Sequence, residues 1–235
     1  MDEQSLIALI DDDESIRKSL ARLIISAGHQ VKAFASAAEF LDSAKNEMAS
    51  CVVSDLRMPL VNGLQLQEAL RIKAPCASIV FITGHGDIPA TVSAMKAGAV
   101  DFLEKPIKAD VLLEAIGRAI QRSNQMKAAA AALDHLQSCY EELTPREREV
   151  CALVSAGLLN KQVGAELAVT EKTVKEHRGR VMRKMKAESL ADLVLMAERL
   201  GIRPADVSFA EAKGKLSSSA GSRSVVQRQP PIVVR

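Results

Sequence analysis

Three carboxylates, a hydroxyl and an amine recur at one kind of place in the first half of this 235-residue chain. Asp11 and Asp12 follow the apolar run Leu6–Ile10, and Asp55 follows Cys51–Ser54. Thr83 follows Ser78–Ile82, while Lys105 follows Val100–Leu103 and precedes Pro106. Short, mostly apolar runs of this kind read as buried parallel strands. Parallel sheets place their sites at the carboxyl ends of the strands. If the first and third strands are neighbours, the three carboxylates converge on one edge. Such a cluster disfavours its own ionisation unless a cation offsets it. A hard divalent ion with oxygen ligands fits: Mg²⁺, with Mn²⁺ as a second candidate, needs one or two carboxylates plus phosphate oxygens. A carboxylate nucleophile, a metal, a hydroxyl and a lysine supply what phosphoryl transfer to an aspartate requires. Asp55 attacks in line while the metal and Lys105 stabilise charge on the transferring oxygens.

The elements that must position these groups follow from periodicity. A fifth run, Gln30–Phe34, completes the strands, and amphipathic stretches near 15–27, 37–45, 64–73, 89–97 and 109–122 lie between and after them. This alternation predicts a doubly wound α/β domain with a five-stranded parallel sheet over residues 4–122. Residues 123–143 contain no helix breaker and include Ala128–Ala132, so a long helical linker is predicted. Its stripe of Leu133, Leu136, Tyr140 and Leu143 suits packing on a neighbouring domain, with a short dimeric coiled coil as the alternative.

Residues 144–202 carry only helical patterns, predicting an all-α domain of four helices at 145–156, 161–167, 171–185 and 189–199. Thr144, Pro145 and Glu147 form a capping-box start with proline at the first helical position. Segment 203–235 reads as a disordered basic tail, either a solvated extension or a non-specific DNA contact; its last part, 213–235, has no acidic residue.

Apolar residues make up 48% of the chain, enough for two globular cores, yet no apolar run could span a bilayer. Asp2 and Glu3 stand where a secretory leader would be basic and apolar, so a cytoplasmic protein without membrane contact is expected. The four cysteines lack metal-ligand spacing and read as reduced thiols. Residues 1–122 hold 13 basic and 16 acidic side chains, residues 144–202 hold 11 and 8. This asymmetry points to a polyanion partner for the C-terminal half.

Seven of those basic residues fall within 172–186, beside one acid, Glu176, while Val174, Val181 and Met185 form a buried face. The basic remainder is expected to face outward. A short helix, a break at Ala168–Thr170 and a basic helix capped by Thr170 make a helix-turn-helix, which presents its second helix to DNA.

Residues 4–122 resemble a bacterial response-regulator receiver domain, on IDDDE at 10–14, SDLRMP at 54–59, FITGHGD at 81–87 and DFLEKP at 101–106. Residues 143–185 and SLADLV at 189–194 resemble the LuxR/FixJ-type output domain, and 4–200 together resemble a FixJ-type response regulator. The resemblance implies that Asp55 is the phosphoacceptor, with Asp11, Asp12 and the backbone carbonyl of Arg57 completing the metal site. It assigns Thr83 and Phe102 to switch positions, Lys105 to the conserved lysine, and Val92, Met95 and Lys96 to a dimer face. Lys175, Glu176 and Gly179 would face base edges in the major groove. Lys161, Thr170, Lys172, Thr173, His177, Arg178 and Arg180 would complete the DNA-binding set, chiefly toward phosphates. The implied partners are a sensor histidine kinase, promoter DNA with an inverted repeat, RNA polymerase, and a second copy of the chain once phosphorylated, with helix 189–199 pairing the output domains. The implied function is transcription activation. A hydrolase working through an aspartyl-phosphate is disfavoured, because Arg57 stands where such enzymes carry a second Asp; only self-phosphorylation and self-dephosphorylation at Asp55 remain. A constitutive DNA-binding protein is the other alternative, and the complete acidic site speaks against it.

Overall fold

The computed structural model describes residues 5–43, 49–84 and 88–204. The chain divides into two compact units, Met1–Ala132 and Leu133–Arg235. In the first, strands β1 (Leu6–Ile10), β2 (Gln30–Phe34), β3 (Cys51–Asp55), β4 (Ser78–Thr83) and β5 (Asp101–Glu104) form one sheet in the order β2-β1-β3-β4-β5. Every neighbouring pair is parallel. Around it lie α1 (Glu14–Ser26), α2 (Ala37–Ser43), α3 (Gly63–Lys73), α4 (Ile88–Lys96) and the start of α5 (Ala109–Glu141).

Alternation along the strands divides the core in two, because successive side chains leave opposite faces of a sheet. Ala8, Ile10, Val52 and Phe81 pack with Leu66, Leu70 and Ala94 of α3 and α4. Ile7, Leu9, Val53, Val80 and Ile82 pack with Ile24 of α1 and Leu112, Ala115, Ile116 and Ala119 of α5. Three strands end one residue later than expected, β3 at Asp55, β4 at Thr83 and β5 at Glu104, and β5 also starts one residue later, at Asp101. Asp55 and Thr83 occupy the last ladder positions of β3 and β4, paired with Ile82 and Glu104. The site residues are thus held by sheet hydrogen bonding.

The helix expected near 109–122 and the helical segment expected at 123–143 run together as α5, one continuous 33-residue helix. Its alanine-rich middle contains neither Pro nor a cap that would stop it. In the second unit its last turns join α6 (Pro145–Ser155), α7 (Asn160–Glu166), α8 (Glu171–Lys184) and α9 (Leu190–Arg199). Leu136, Cys139 and Leu143 are buried there among Val150, Leu153, Val163, Val174, Val181 and Leu193, with Tyr140 against them. Leu133, the first member of the expected stripe, remains 46% exposed. The stripe therefore serves intramolecular packing within this unit.

The helix starts follow from local chemistry. Thr144 and Glu147 form a reciprocal capping box, Thr170 accepts from the Thr173 amide, and Ser189 accepts from the Asp192 amide. All four cysteines are free thiols. Among the described residues no helix is long and apolar enough to cross a membrane. The expectation for the 203–235 tail falls almost wholly outside the described residues.

Candidate functional site: an acidic cluster and a basic recognition helix

At the carboxyl edge of the sheet, β1 delivers Asp11 and Asp12 while its neighbour β3 delivers Asp55. One carboxylate oxygen of each lies within 4.8 Å of the others. Asp11 is 1% exposed and Asp55 8%, whereas Asp12 is open to solvent. Lys105 reaches across from the end of β5, placing Nζ 2.6 Å from Asp55 Oδ2 and 2.9 Å from Asp11 Oδ2. Its position is set by the sheet edge, where the Lys105 amide donates to the Thr83 carbonyl at 2.7 Å. The Lys105–Pro106 bond is cis.

The electrostatics match the geometry. Burial pushes the Asp11 carboxyl above its ordinary value, an effect the Lys105 hydrogen bond only partly offsets. Burial alone would lower the Lys105 ammonium, but hydrogen bonds from it to Asp55 and Asp11 outweigh that and hold it above its ordinary value. The lysine is therefore fully charged and stands where a cation is required. Three hard oxygen donors, one solvent-facing, fit a divalent ion that retains water.

Backbone donors fix the carboxylates. The Asp13 amide donates to Asp11 Oδ1 and the Arg57 amide to Asp55 Oδ1, both at 2.9 Å. A groove of about 540 Å³ lined by Asp12, Arg57, Met58, Pro59, Asn62 and Ala90 gives access to the cluster. Gly63 permits this loop to close, since a Cβ there would lie 2.7 Å from Phe81 Cε1 and 3.1 Å from the Asp55 carbonyl. Thr83 is fully buried behind the cluster. Phe102 is half-buried, its ring centroid 6.4 Å from that of Phe81. Val92 and Met95 on α4 are 46% and 44% exposed, and Lys96 is exposed beside them.

Sequence reasoning missed Arg17, whose Nη1 donates to the Asp11 carbonyl at 2.6 Å from the first turns of α1. Its spacing of six residues from Asp11 resembles any exposed helical arginine, so no local pattern marks it.

In the second unit, the turn between α7 and α8 is closed by the Val169 amide donating to the Gly164 carbonyl and by Ala168 at φ 54°. On α8, Val174 and Val181 are fully buried, which turns Lys172, Lys175, Glu176, Gly179 and Arg180 to solvent. Lys161 and Thr170 are exposed nearby, whereas Thr173, His177 and Arg178 are half-buried. Arg178 donates to Asn160 Oδ1 at 3.3 Å, and His177 Nδ1 is buried without a hydrogen-bond partner among the described residues. His177 therefore presents inward the ring edge that a phosphate contact could have used.

The expectation that the whole basic remainder of this helix faces outward is corrected at its end. Lys184 turns inward, its Nζ 2.7 Å from Glu147 Oε2 and 3.0 Å from the Glu142 carbonyl. Glu147 is 2% exposed and its carboxylate also accepts from the Thr144 amide. A buried capping carboxylate requires a cation, and α8 supplies the nearest one.

Residues 7–117 match the family described as response regulator receiver domain, and residues 141–197 match bacterial regulatory proteins of the luxR family. Nodulation protein W of Bradyrhizobium diazoefficiens is 48% identical over 199 residues, covering 85% of this chain and 88% of that protein. Among solved structures, the response regulator StyR aligns with a TM-score of 0.71 and 42% identity over 83% of this chain and 99% of that one. Full-length FixJ from B. japonicum aligns with a TM-score of 0.52 and 40% identity over 84% and 98%. A receiver implies a sensor kinase as partner and the luxR-family domain implies DNA as ligand, and regulators of this build are in general not enzymes. The chain belongs to the FixJ-type two-component response regulators, in which a receiver domain precedes a LuxR-type DNA-binding domain that regulates transcription.

Proposed function

We propose that this regulator is switched on by Mg²⁺-dependent phosphorylation of Asp55 by a sensor histidine kinase, and that it then dimerises and activates transcription from an inverted-repeat promoter. One observation carries the reading: Lys105 lies within hydrogen-bond distance of both Asp55 and Asp11, with Asp12 adjoining them. Asp11, Asp12, Asp55 and the Arg57 carbonyl would hold the ion, Mn²⁺ serving as a substitute. When bound, the metal neutralises charge on the transferring oxygens. Asp55 accepts the phosphoryl group, while Lys105 and Thr83 hold its oxygens. Thr83 moves toward the phosphoryl group and Phe102 fills the space it leaves, which rearranges the face of Val92, Met95 and Lys96 for pairing with a second copy. Reversing a 1:99 population takes about 5.5 kcal/mol, within reach of a few charge-assisted hydrogen bonds.

On DNA, Lys175, Glu176 and Gly179 read base edges, and Glu176 favours cytosine N4 while repelling phosphates. Lys161, Thr170, Lys172, Thr173, Arg178 and Arg180 hold phosphates, with His177 contributing only through its outer edge. The receiver occupies residues 4–122, the helical linker 123–143, the output domain 144–202 and a basic tail 203–235. The protein acts in the cytoplasm, contacts RNA polymerase at the promoter, and turns over only its own phosphoryl group.

The test compares dimerisation and promoter binding with and without beryllofluoride plus Mg²⁺, using Asp55→Asn as control. Tighter binding and dimerisation in wild type, absent in the variant, support the switch. Identical binding by both proteins under all conditions overturns it in favour of constitutive DNA binding.

A further inference from the structure

The buried Val174 and Val181 leave Lys172, Lys175, Glu176, Gly179, Arg180 and Arg183 of α8 facing solvent. Lys175 and Glu176 precede Gly179 by one turn and Arg183 follows it by one, so the glycine stands in the middle of the polar stripe. An interior helical glycine is a poor choice on local grounds, because it loses more backbone freedom than any other residue. Packing does not call for it. Among the described residues, a Cβ at 179 would meet nothing within 4 Å beyond its own helix backbone and chain neighbours. Gly164 in the same helix-turn-helix is the contrast, since a Cβ there would lie 2.8 Å from the Val169 carbonyl oxygen. Conformation does not call for it either, because Gly179 lies in regular helix and is not among the glycines with positive φ. The free chain thus gives no reason for glycine here, whereas close approach by a bound partner does.

The neighbouring residues indicate which partner, and which part of it. Successive helical residues are about 100° apart, so Arg178 and Arg180 leave the helix on either side of Gly179. Arg178 is braced by Asn160 Oδ1 at 3.3 Å, and Arg180 is exposed on the other flank. A helix with cations along both flanks fits between the two phosphate strands of a major groove, its midline over the base edges. That groove is about 12 Å wide, and a helix with its side chains is about 10–12 Å across. A position without a side chain therefore lets the backbone sink nearest the bases. The space a Cβ would take is that of one methyl, and the apolar group that bases present in this groove is the thymine C5-methyl.

We propose that Gly179 seats α8 on the floor of the major groove and selects a thymine, whose methyl occupies the place of the absent Cβ. This deepens the reading of α8 as the recognition helix and rests on it. Glu176 selects by accepting a hydrogen bond, whereas Gly179 selects by shape alone.

The full chain, with beryllofluoride and Mg²⁺, is used to enrich duplexes from a randomised library, and the enriched duplex becomes the probe. Its thymines are replaced one at a time by deoxyuridine, which lacks only the methyl. Wild type should bind about fourfold more weakly at one thymine of each half-site, the worth of one buried methyl group. Gly179→Ala should melt about 3–8 °C higher, since alanine favours the helix. It should nevertheless bind the thymine duplex about tenfold or more weakly, and prefer deoxyuridine at that same position. On an unselected duplex its affinity should stay within about twofold, because the phosphate contacts are untouched. A glycine with a merely structural role would not reverse the preference between thymine and deoxyuridine. Equal binding by wild type of every deoxyuridine duplex overturns the proposal, as does unchanged affinity of Gly179→Ala for the thymine duplex. An equal loss by Gly179→Ala on thymine, deoxyuridine and unselected duplexes also overturns it, since the glycine would then serve the phosphate backbone. If wild type enriches no sequence at all, the base-edge reading of α8 falls together with this proposal.

Discussion

Replacing Lys184 by methionine should destabilise the C-terminal unit without removing a DNA contact. Removing one partner of a fully buried ion pair costs about 3–5 kcal/mol. Here the carboxylate end is 3% exposed and the lysine end 33%, so water reaches only one side of the 2.7 Å contact. Glu147 also keeps its 2.9 Å bond from the Thr144 amide. A loss of about 2–3 kcal/mol is expected, discounted from the fully buried figure for that exposure. For a unit of this size that lowers its melting transition by roughly 10–20 °C, measurable by scanning calorimetry of the full chain.

The pH dependence carries the sign. Burial would raise the Glu147 carboxyl, but hydrogen bonds from Lys184 and Thr144 prevail and hold it below its ordinary 4.5. A depressed carboxylate contributes stability that is complete above 4.5 and lost as pH falls through the folded value. Wild type should therefore lose stability on acidification below that point. Lys184→Met should lose less, or gain, since its carboxyl no longer faces a cation. The double variant Glu147→Leu/Lys184→Met should recover much of the loss, as apolar replacements of buried pairs do. On DNA, the salt dependence of binding by Lys184→Met should keep the wild-type slope, whereas Arg180→Met should flatten it by about 0.9. An unchanged melting transition together with a flattened slope for Lys184→Met would refute this reasoning, because the lysine would then be serving a phosphate.

Lys105→Met removes the cation between Asp55 and Asp11; the receiver transition should fall in metal-free buffer and recover on adding Mg²⁺, read by calorimetry. Gly63→Ala drives a Cβ against Phe81 and the Leu56 and Asp55 backbone; a loss of about 1–3 kcal/mol is expected in urea unfolding of the receiver. Leu159 caps α7 with no side-chain hydrogen bond and is 71% exposed, at φ −71° and ψ 152°. Serine fits that backbone and can bond the helix's free amides, so Leu159→Ser should stabilise the output unit by about 0.5–1 kcal/mol in thermal unfolding.

Much of this molecule is local information. A buried parallel strand needs a continuous apolar run, so Leu6–Ile10 has in the structure the bounds that its residues predict; Gln30–Phe34 keeps its predicted bounds as well, although only Phe34 in it is buried. Helix starts are equally local, because Thr144, Thr170 and Ser189 bond amides three residues away. The carboxylates could be brought to one edge on paper because strand ends in a parallel sheet share a side, and Lys105 falls to the same edge. Their chemical roles rest on that convergence and on the family.

Other features depend on contacts that sequence spacing does not encode. Arg17 reaches the Asp11 carbonyl because α1 packs across the sheet, a direction that helical periodicity leaves open. Lys184 reads as one more base on a basic helix, and only the packing of α6 against α8 delivers Glu147 to it across 37 residues. Gln67 Oε1 on α3 and Ser78 Oγ on β4 are left unbonded among the described residues only once those elements pack. Local hydrogen bonding and apolar patterning determine elements from neighbouring residues. Which charge is neutralised, and which polar atom is left unbonded, depends on long-range packing and was decided by the tertiary structure alone.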